Sequence, residues 1–408
     1  MRLQNFSMKR IILLSFAALL AATATAQTGK PDFSPVLSQE QGDKVNAINT
    51  AVPFLRIAPD SRSGAMGDAG IAISPDAYSQ IWNSSKLAFV ESPYGLSFTY
   101  VPWLRELIND MNLAYVSGYY KIDDMQTIGA SLRYFSMGNI NFTDNGGNNI
   151  GSYSPHELAV DASYNRKLSK NFSLGLAGRF IFSNLTGGQG GQNQEQVESG
   201  KSFAVDINGF YKDEIKIADY NCEWSAGFNI SNLGAKLGYT EDTKNFIPTN
   251  LGIGGALTMN LDQYNKITAT IDFNKLLVPT PPLYYQDSTD INGERIIWKG
   301  KDDNVGIIQG AFQSFGDAPD GFREELKEIT TSVGLEYWYA NQFAARMGYF
   351  HENAKKGNRK YFTAGVGVKM KMLGLDISYL IPAGNFSNSP LKNTWRFSLT
   401  LDVNDLVN

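Results

Sequence analysis

The chain has 408 residues and a formal net charge of −4, with 36 Lys and Arg against 40 Asp and Glu. Charged residues are only 19%, while Gly numbers 39, Tyr 20 and Phe 24, a balance that leans to β structure with many turns and away from a helix-rich soluble protein. A mildly acidic chain without a long basic cluster argues against nucleic-acid binding. A single cysteine, Cys222, excludes a disulfide framework, and His156 and His351 lie at zinc-ligand spacing neither from it nor from each other.

At the N-terminus Met8-Lys9-Arg10 precedes the apolar run Ile11 to Leu20 and then Ala24-Thr25-Ala26. That is a charged region, an apolar run too short to span a membrane, and a small-x-small cleavage site. Residues 1–26 are therefore an expected export signal, with Gln27 as the new N-terminus. No Cys follows the cleavage site, which excludes a bacterial lipid anchor. No later segment offers 18 consecutive apolar residues, so helical spans are ruled out. An exported soluble β protein or an outer-membrane barrel remains.

Residues 27–53 are polar and aperiodic, and read as a periplasmic leader. Residues 54–92 open with FLRIAPDSRSGAMGDAGIAISPDAYSQIWNSSKLAF. Gly64, Gly67 and Gly70 permit tight turns. Ser74-Pro75-Asp76 is a helix-start pattern, predicting a short helix that ends near Asn83. The expectation is a compact plug, with Gly64, Gly67, Asp68, Gly70, Pro75, Asp76, Trp82 and Asn83 as its motif.

From Tyr94 onward the hydrophobic period is two. Ile128, Ala130, Leu132 and Tyr134 alternate with Thr127, Gly129, Ser131 and Arg133, and the same ladder recurs in 156–168, 171–183, 265–274 and 394–402. The pattern predicts fourteen strands, an even number as bacterial barrels require. Connections after even-numbered strands are mostly short, as at Ser169-Lys170 and Lys371-Met372. Those after odd-numbered strands are mostly long, as at 138–155, 184–200, 234–248 and 275–327. The fold class expected is all-β: a transmembrane antiparallel barrel over 93–403, with a short helical plug and a tail, 404–408. Both termini are then expected on the periplasmic, short-turn side. Tyr94, Tyr119, Tyr120, Tyr164, Trp224, Tyr337, Trp338, Tyr339, Tyr379 and Trp395 suit interfacial girdles.

Loop 275–327 is long enough to suggest a function of its own. It carries apolar residues outside the bilayer band, namely Pro279, Pro281, Pro282, Tyr284, Tyr285, Ile307, Ile308, Phe312, Phe315 and Phe322. These are candidates for a cargo or partner surface, or a cap over the lumen, with packing of the loop on itself as the alternative. Residues around 305–315 suit a short amphipathic helix. Loop 184–200 is polar and glycine-rich. No nucleophile motif, phosphate loop or metal cluster is present, so the expectation is a non-enzymatic protein with no cofactor.

The segments FLRIAPDSRSGAMGDAGIAISPDAYSQIWNSSKLAF, LVPTPPLYY and SFGDAPDGFREELKEI resemble the PorV family, outer-membrane components of the Bacteroidota type IX secretion system. That family is itself similar to FadL-like fourteen-stranded barrels with an N-terminal plug. The resemblance implies a protein that binds the C-terminal signal domain of secreted cargo at the translocon barrel. Cargo would pass to a surface attachment complex containing a sortase-like protease. The FadL likeness implies an alternative, transport of hydrophobic small molecules.

Overall fold

The computed structural model describes residues 45–143, 149–185, 187, 198–240, 243–289, 295–384 and 389–403. The export signal, the leader up to residue 44, most of loop 184–200 and the tail 404–408 lie outside the described residues.

Fourteen strands form one closed barrel. They are β1 (Tyr94–Pro102), β2 (Asn112–Lys121), β3 (Gln126–Ser136), β4 (His156–Lys167), β5 (Phe172–Asn184), β6 (Gly200–Ile217) and β7 (Tyr220–Gly234). They continue as β8 (Asn250–Asn260), β9 (Asn265–Leu276), β10 (Thr330–Tyr339), β11 (Phe343–His351), β12 (Lys360–Met370), β13 (Leu373–Pro382) and β14 (Trp395–Val403). Each pairs antiparallel with its sequence neighbour. Closure comes from β14 on β1, with Tyr94 opposite Val403 and Tyr100 opposite Phe397. No edge is left with unpaired backbone groups, as a bilayer requires.

The two faces of this sheet are reversed relative to a soluble sandwich. Leu96 and Phe98 are 50% and 48% exposed, while the alternating Ser97 and Thr99 are buried. Inward positions elsewhere hold Ser131, Arg133, Asp161, Asn165, Arg179 and Asp272, all buried. Outward positions hold Leu132, Leu176, Ile253, Phe273, Val366 and Leu399, all exposed. Apolar surface on this scale is stable only against an apolar solvent, and the wall therefore faces lipid. No described helix is long and apolar enough to cross a membrane. The strands supply the crossing.

One end of the barrel carries the short turns and the other the long loops. One two-residue turn was hidden in the sequence. The alternation suggests strands over 201–212 and 222–233, but β6 and β7 run on until only Ala218 and Asp219 join them. Lys212 pairs with Glu223 at 3.0 Å across this extension, so its polar residues satisfy one another instead of ending the strands. Two girdle assignments also differ. Tyr119 points inward, where its ring covers Gly95 and packs with Ala77, Leu87 and Val90. Trp338 is half-buried beneath the Arg346 guanidinium.

The described N-terminal chain starts at the long-loop end. Asn46 donates its backbone N–H to Lys355 in the β11–β12 loop, and Ala51 donates to Phe246 in the β7–β8 loop. For the described residues 45–53 this differs from the expectation of a leader on the short-turn side. The physical reason is apolar. Val52, Phe54 and Leu55 bury against Val101, Leu113, Phe135, Ile181, Leu237 and Ile247, which ring the long-loop end of the lumen. From there the chain descends through the lumen and enters β1 at the short-turn end.

Candidate functional site

The plug is built from single turns and not from a long helix. Asp60 caps the first turn, Ser61–Gly64, by accepting from the Ser63 N–H at 2.7 Å, and its other oxygen accepts from the Trp82 indole at 2.6 Å. A second turn spans Ser79–Trp82 and a 3-10 turn spans Ser84–Phe89. The helix-start pattern works differently from expectation. Asp76 accepts from the Tyr78 N–H at 3.0 Å and from the Ser79 hydroxyl. The Ser74 hydroxyl accepts instead from the Arg62 guanidinium at 2.7 Å, because that buried cation needs acceptors.

Backbone groups that these short turns leave free are satisfied by the inward side chains of the wall. The Asp272 carboxylate accepts from Gly70 and Ile71 N–H at 2.7 and 2.9 Å. Hydroxyls of Ser117, Ser173 and Ser225 donate to the carbonyls of Ala77, Ser85 and Ala72. Thr363 donates to Ala65 and accepts from Gly67, both at 2.8 Å. Arg133 donates to Phe54 and Leu55, and Arg396 to Gly64. The bonds come from strands all round the barrel, so the plug is anchored on every side.

Charges reinforce these bonds. Arg62 forms a two-point pair with Glu336 at 2.9 and 2.8 Å and a further contact to Asp76 at 2.6 Å. Glu336 also accepts from Arg346, which reaches Asp376. Arg396 lies 3.1 Å from Asp68, and the Tyr361 hydroxyl donates to the same carboxylate. A separate cluster joins Arg179 to Asp161 and Asp206 at 2.5 and 2.9 Å.

Small residues allow the close approach. Gly67 has φ +69°, and a Cβ there would lie 2.5 Å from the Tyr349 carbonyl oxygen. Facing it, a Cβ on Gly348 would lie 2.1 Å from the Gly67 nitrogen. Gly70 lies flat under the Trp82 ring, and Asn83 reaches Ile71 and Gly209 carbonyls at 3.2 and 2.9 Å. Pro75 is half-buried. The eight motif residues therefore sit in one structure, yet the sequence did not show their partners, Asp60 and Arg62 within the plug and Asp272, Thr363 and Arg396 from distant strands.

Above the lumen stands the long β9–β10 loop. It contains a hairpin of Leu283–Thr289 with Arg295–Lys299, a helix α1 (Ile307–Gln313) and a turn α2 (Phe322–Glu325). The hairpin was not anticipated. Its apolar residues fall into two groups. Pro279 and Pro282 are buried, and Pro281, Tyr284 and Ile307 are half-buried, so they pack within the loop. Ile308, Phe312, Phe315 and Phe322 are exposed, Phe312 and Phe322 at 77% and 75%, and Tyr285 is exposed on the hairpin. Ile308, Phe312 and Phe315 fall on one helical face.

A buried ionic knot supports that face. Lys275 bonds Glu325 and Glu328 at 2.9 and 2.5 Å, and Lys356 bonds Glu324 and Glu328 at 2.6 and 2.9 Å. Glu325 also accepts from Asp317 and Ala318 N–H, and Asp317 accepts from Thr280 N–H at 3.1 Å. Burial pushes the Glu328 carboxyl up, but bonds from Lys275, Thr280 and Lys356 outweigh it and hold the group below its usual range. Asp317 is pushed up to about 6, mainly by burial. The arrangement is inverted: charges lie beneath and phenylalanines face water.

Among the described residues no three His, Cys, Asp or Glu side chains converge as metal ligands. Cys222 is buried and free.

Comparison with solved structures finds barrels of similar outline. The toluene transporter TodX of Pseudomonas putida is 12% identical, with 88% of this chain and 98% of that chain covered and a TM-score of 0.45. The toluene transporter TbuX of Ralstonia pickettii is 11% identical, covering 84% and 96%, with a TM-score of 0.41. A FadL homologue of Pseudomonas aeruginosa is 11% identical, covering 84% and 98%, with a TM-score of 0.39. The curated proteins compared with the chain give no match. The model of the type IX secretion system protein PorV matches residues 39–283, more than half of the chain and a span that includes the whole plug. The chain belongs to the PorV family, and is an outer-membrane β-barrel of the type IX secretion system.

Proposed function

We propose that this protein acts by binding and not by catalysis. In this reading it receives secreted cargo, through the cargo's C-terminal signal domain, where cargo leaves the translocon barrel. It then hands cargo to the surface attachment complex, where a sortase-like protease removes the signal. The long loops face outward, and the short turns and the C-terminal end of β14 face the periplasm.

The observation that carries this reading is the exposed face of Ile308, Phe312, Phe315 and Phe322, held on the buried Lys275 and Lys356 knot. Aromatic side chains displayed on a rigid base suit a protein partner. The plug residues then have a sealing role, with Gly64, Gly67 and Gly70 giving the close approach and Asp68, Asp76, Trp82 and Asn83 fixing the turns.

Transport of a hydrophobic small molecule is the second reading. It needs an apolar interior with a way out. The inward parity here is polar and bonded to the plug, which disfavours it.

Deleting the gene tests the proposal. Secreted proteins are expected to accumulate inside the cell with their signal domains uncleaved. Normal secretion in the deletion strain, or purified protein carrying bound fatty acid and no protein partner, would overturn it.

A further inference from the structure

Neither the plug nor the exposed helical face uses a groove on the outside of the wall at the long-loop end. Its volume is about 320 Å³, and its lining includes Phe273, Thr331 and His351 below and Leu326, Lys327 and Ile329 above. The strand register explains the floor. Phe273 pairs with Thr331, Thr331 with His351, and His351 with Lys360, so the four make one outward row across β9 to β12. The segment leading into β10 overhangs that row as a roof.

Charge is sorted across this wall. Lys327 and Lys360 lie on the outside and are half-buried. The neighbouring acids turn in: Glu328 bonds Lys275 and Lys356, and Glu352 bonds Arg359 at 2.8 Å. The groove's lining therefore holds one ammonium group, Lys327, with the His351 imidazole and the Asn353 amide and no carboxylate, while Lys360 follows His351 in the same outward row. One step further into the bilayer band stand Tyr349 and Phe362, their rings 4.9 Å apart, and Phe362 is 54% exposed. Aromatic rings at this level mark the membrane–water boundary.

A cationic rim over an apolar wall complements an anionic amphiphile. We propose that the groove seats the net-anionic, phosphate-bearing headgroup of a lipid in the leaflet at the long-loop end, which is the outer leaflet in the orientation given above. Lys327 and Lys360 hold the phosphate as point charges. Leu326 and Ile329 cover the headgroup junction, and the acyl chains run down Phe273 and Phe362. A cationic protein segment fits less well, because the lining holds no carboxylate to pair with it.

The test uses the full mature chain in nanodiscs of phosphatidylcholine, with and without phosphatidic acid. Native mass spectrometry after release reads the retained lipid. Phosphatidic acid is expected to be retained over phosphatidylcholine, and inorganic phosphate is expected not to displace it. Reversing charge in Lys327→Glu and Lys360→Glu lowers retention by about five-fold per lysine. Heat-modifiable gel mobility checks that each variant folds, and Lys327→Gln replaces any variant that does not. Equal retention of both lipids, unchanged retention in the folded variants, displacement by inorganic phosphate alone, or occupation of the groove only when a protein partner is added would each overturn the proposal.

Discussion

Arg62 of the plug and Glu336 of β10 meet through two parallel hydrogen bonds, 2.9 and 2.8 Å long, with both side chains buried. The pair links the plug to the wall, and Glu336 passes the link on to Arg346. A buried pair of this kind is strongly destabilising when only one partner is removed, because the other charge is stranded. Arg62→Ala is therefore expected to cost about 3–5 kcal/mol and to unseat the first plug turn. Ion conductance through planar bilayers reads the outcome: leak should rise in Arg62→Ala. Conductance equal to that of the parent protein would argue against sealing by this pair.

Gly67 and Gly348 are predicted to be intolerant of any side chain. Gly67 combines φ +69° with a Cβ position 2.5 Å from the Tyr349 carbonyl, and Gly348 faces the Gly67 backbone at 2.1 Å. Neither obstacle is a flexible side chain, so the backbone itself has to move. Gly67→Val and Gly348→Val should both reduce the folded, heat-modifiable fraction. Gly316→Ala, which meets nothing within 4 Å, is the control and should fold normally. Normal folding of both valine variants would contradict the close plug–wall contact.

The loop knot should respond to acid. For Glu324, Glu328 and Glu352 burial acts upward, but bonds from Lys356, Lys275 and Arg359 respectively outweigh it and depress the folded-state value. Such groups stabilise the fold above their unfolded value, about 4.3, and that contribution is lost as pH falls through the folded values. Asp317 has the opposite sign: raised to about 6, it favours the fold below its unfolded value and loses that contribution as pH rises through about 6. Hydrogen exchange over residues 307–328 should show protection falling sharply below about pH 4. Asp317→Asn should remove the weaker change near pH 6. Protection that stays constant down to about pH 3 would count against the knot.

Substituting the exposed phenylalanines should separate binding from folding. Phe312 and Phe322 are more than 70% exposed, so Phe312→Ser and Phe322→Ser should change stability by no more than about 0.5 kcal/mol. If they anchor a partner, each should weaken its retention by more than about 1 kcal/mol. Pull-down with quantitative mass spectrometry measures the loss. Unchanged recovery of translocon and cargo in the double variant would remove this face from the account.

The barrel was legible in the sequence because its signal is local. A period of two shows in any eight residues, as at Ile128 to Tyr134, and fourteen such ladders with short and long connections define a closed wall. The bonds that seat the plug were not legible. Asp272 with Gly70, Thr363 with Gly67 and Glu336 with Arg62 join residues far apart in the chain, and single-residue chemistry does not encode which distant acid meets which cation. Two local readings failed for related reasons. Tyr119 was placed in the girdle by residue type, although its parity is inward beside Gly95. Residues 45–53 were placed on the short-turn side with the rest of the polar leader, although Val52 belongs to an apolar ring at the opposite end.

The central claim is that the outer apolar face holds secreted protein while the lumen stays plugged. Site-specific photocrosslinking in secreting cells tests it most directly, with the crosslinker at Phe312 or Phe322 and, as control, at lipid-facing Leu96. The account predicts adducts at Phe312 and Phe322 that contain a secreted protein still carrying its C-terminal signal domain, and none at Leu96. Adducts absent from both loop positions while secretion proceeds normally would contradict it.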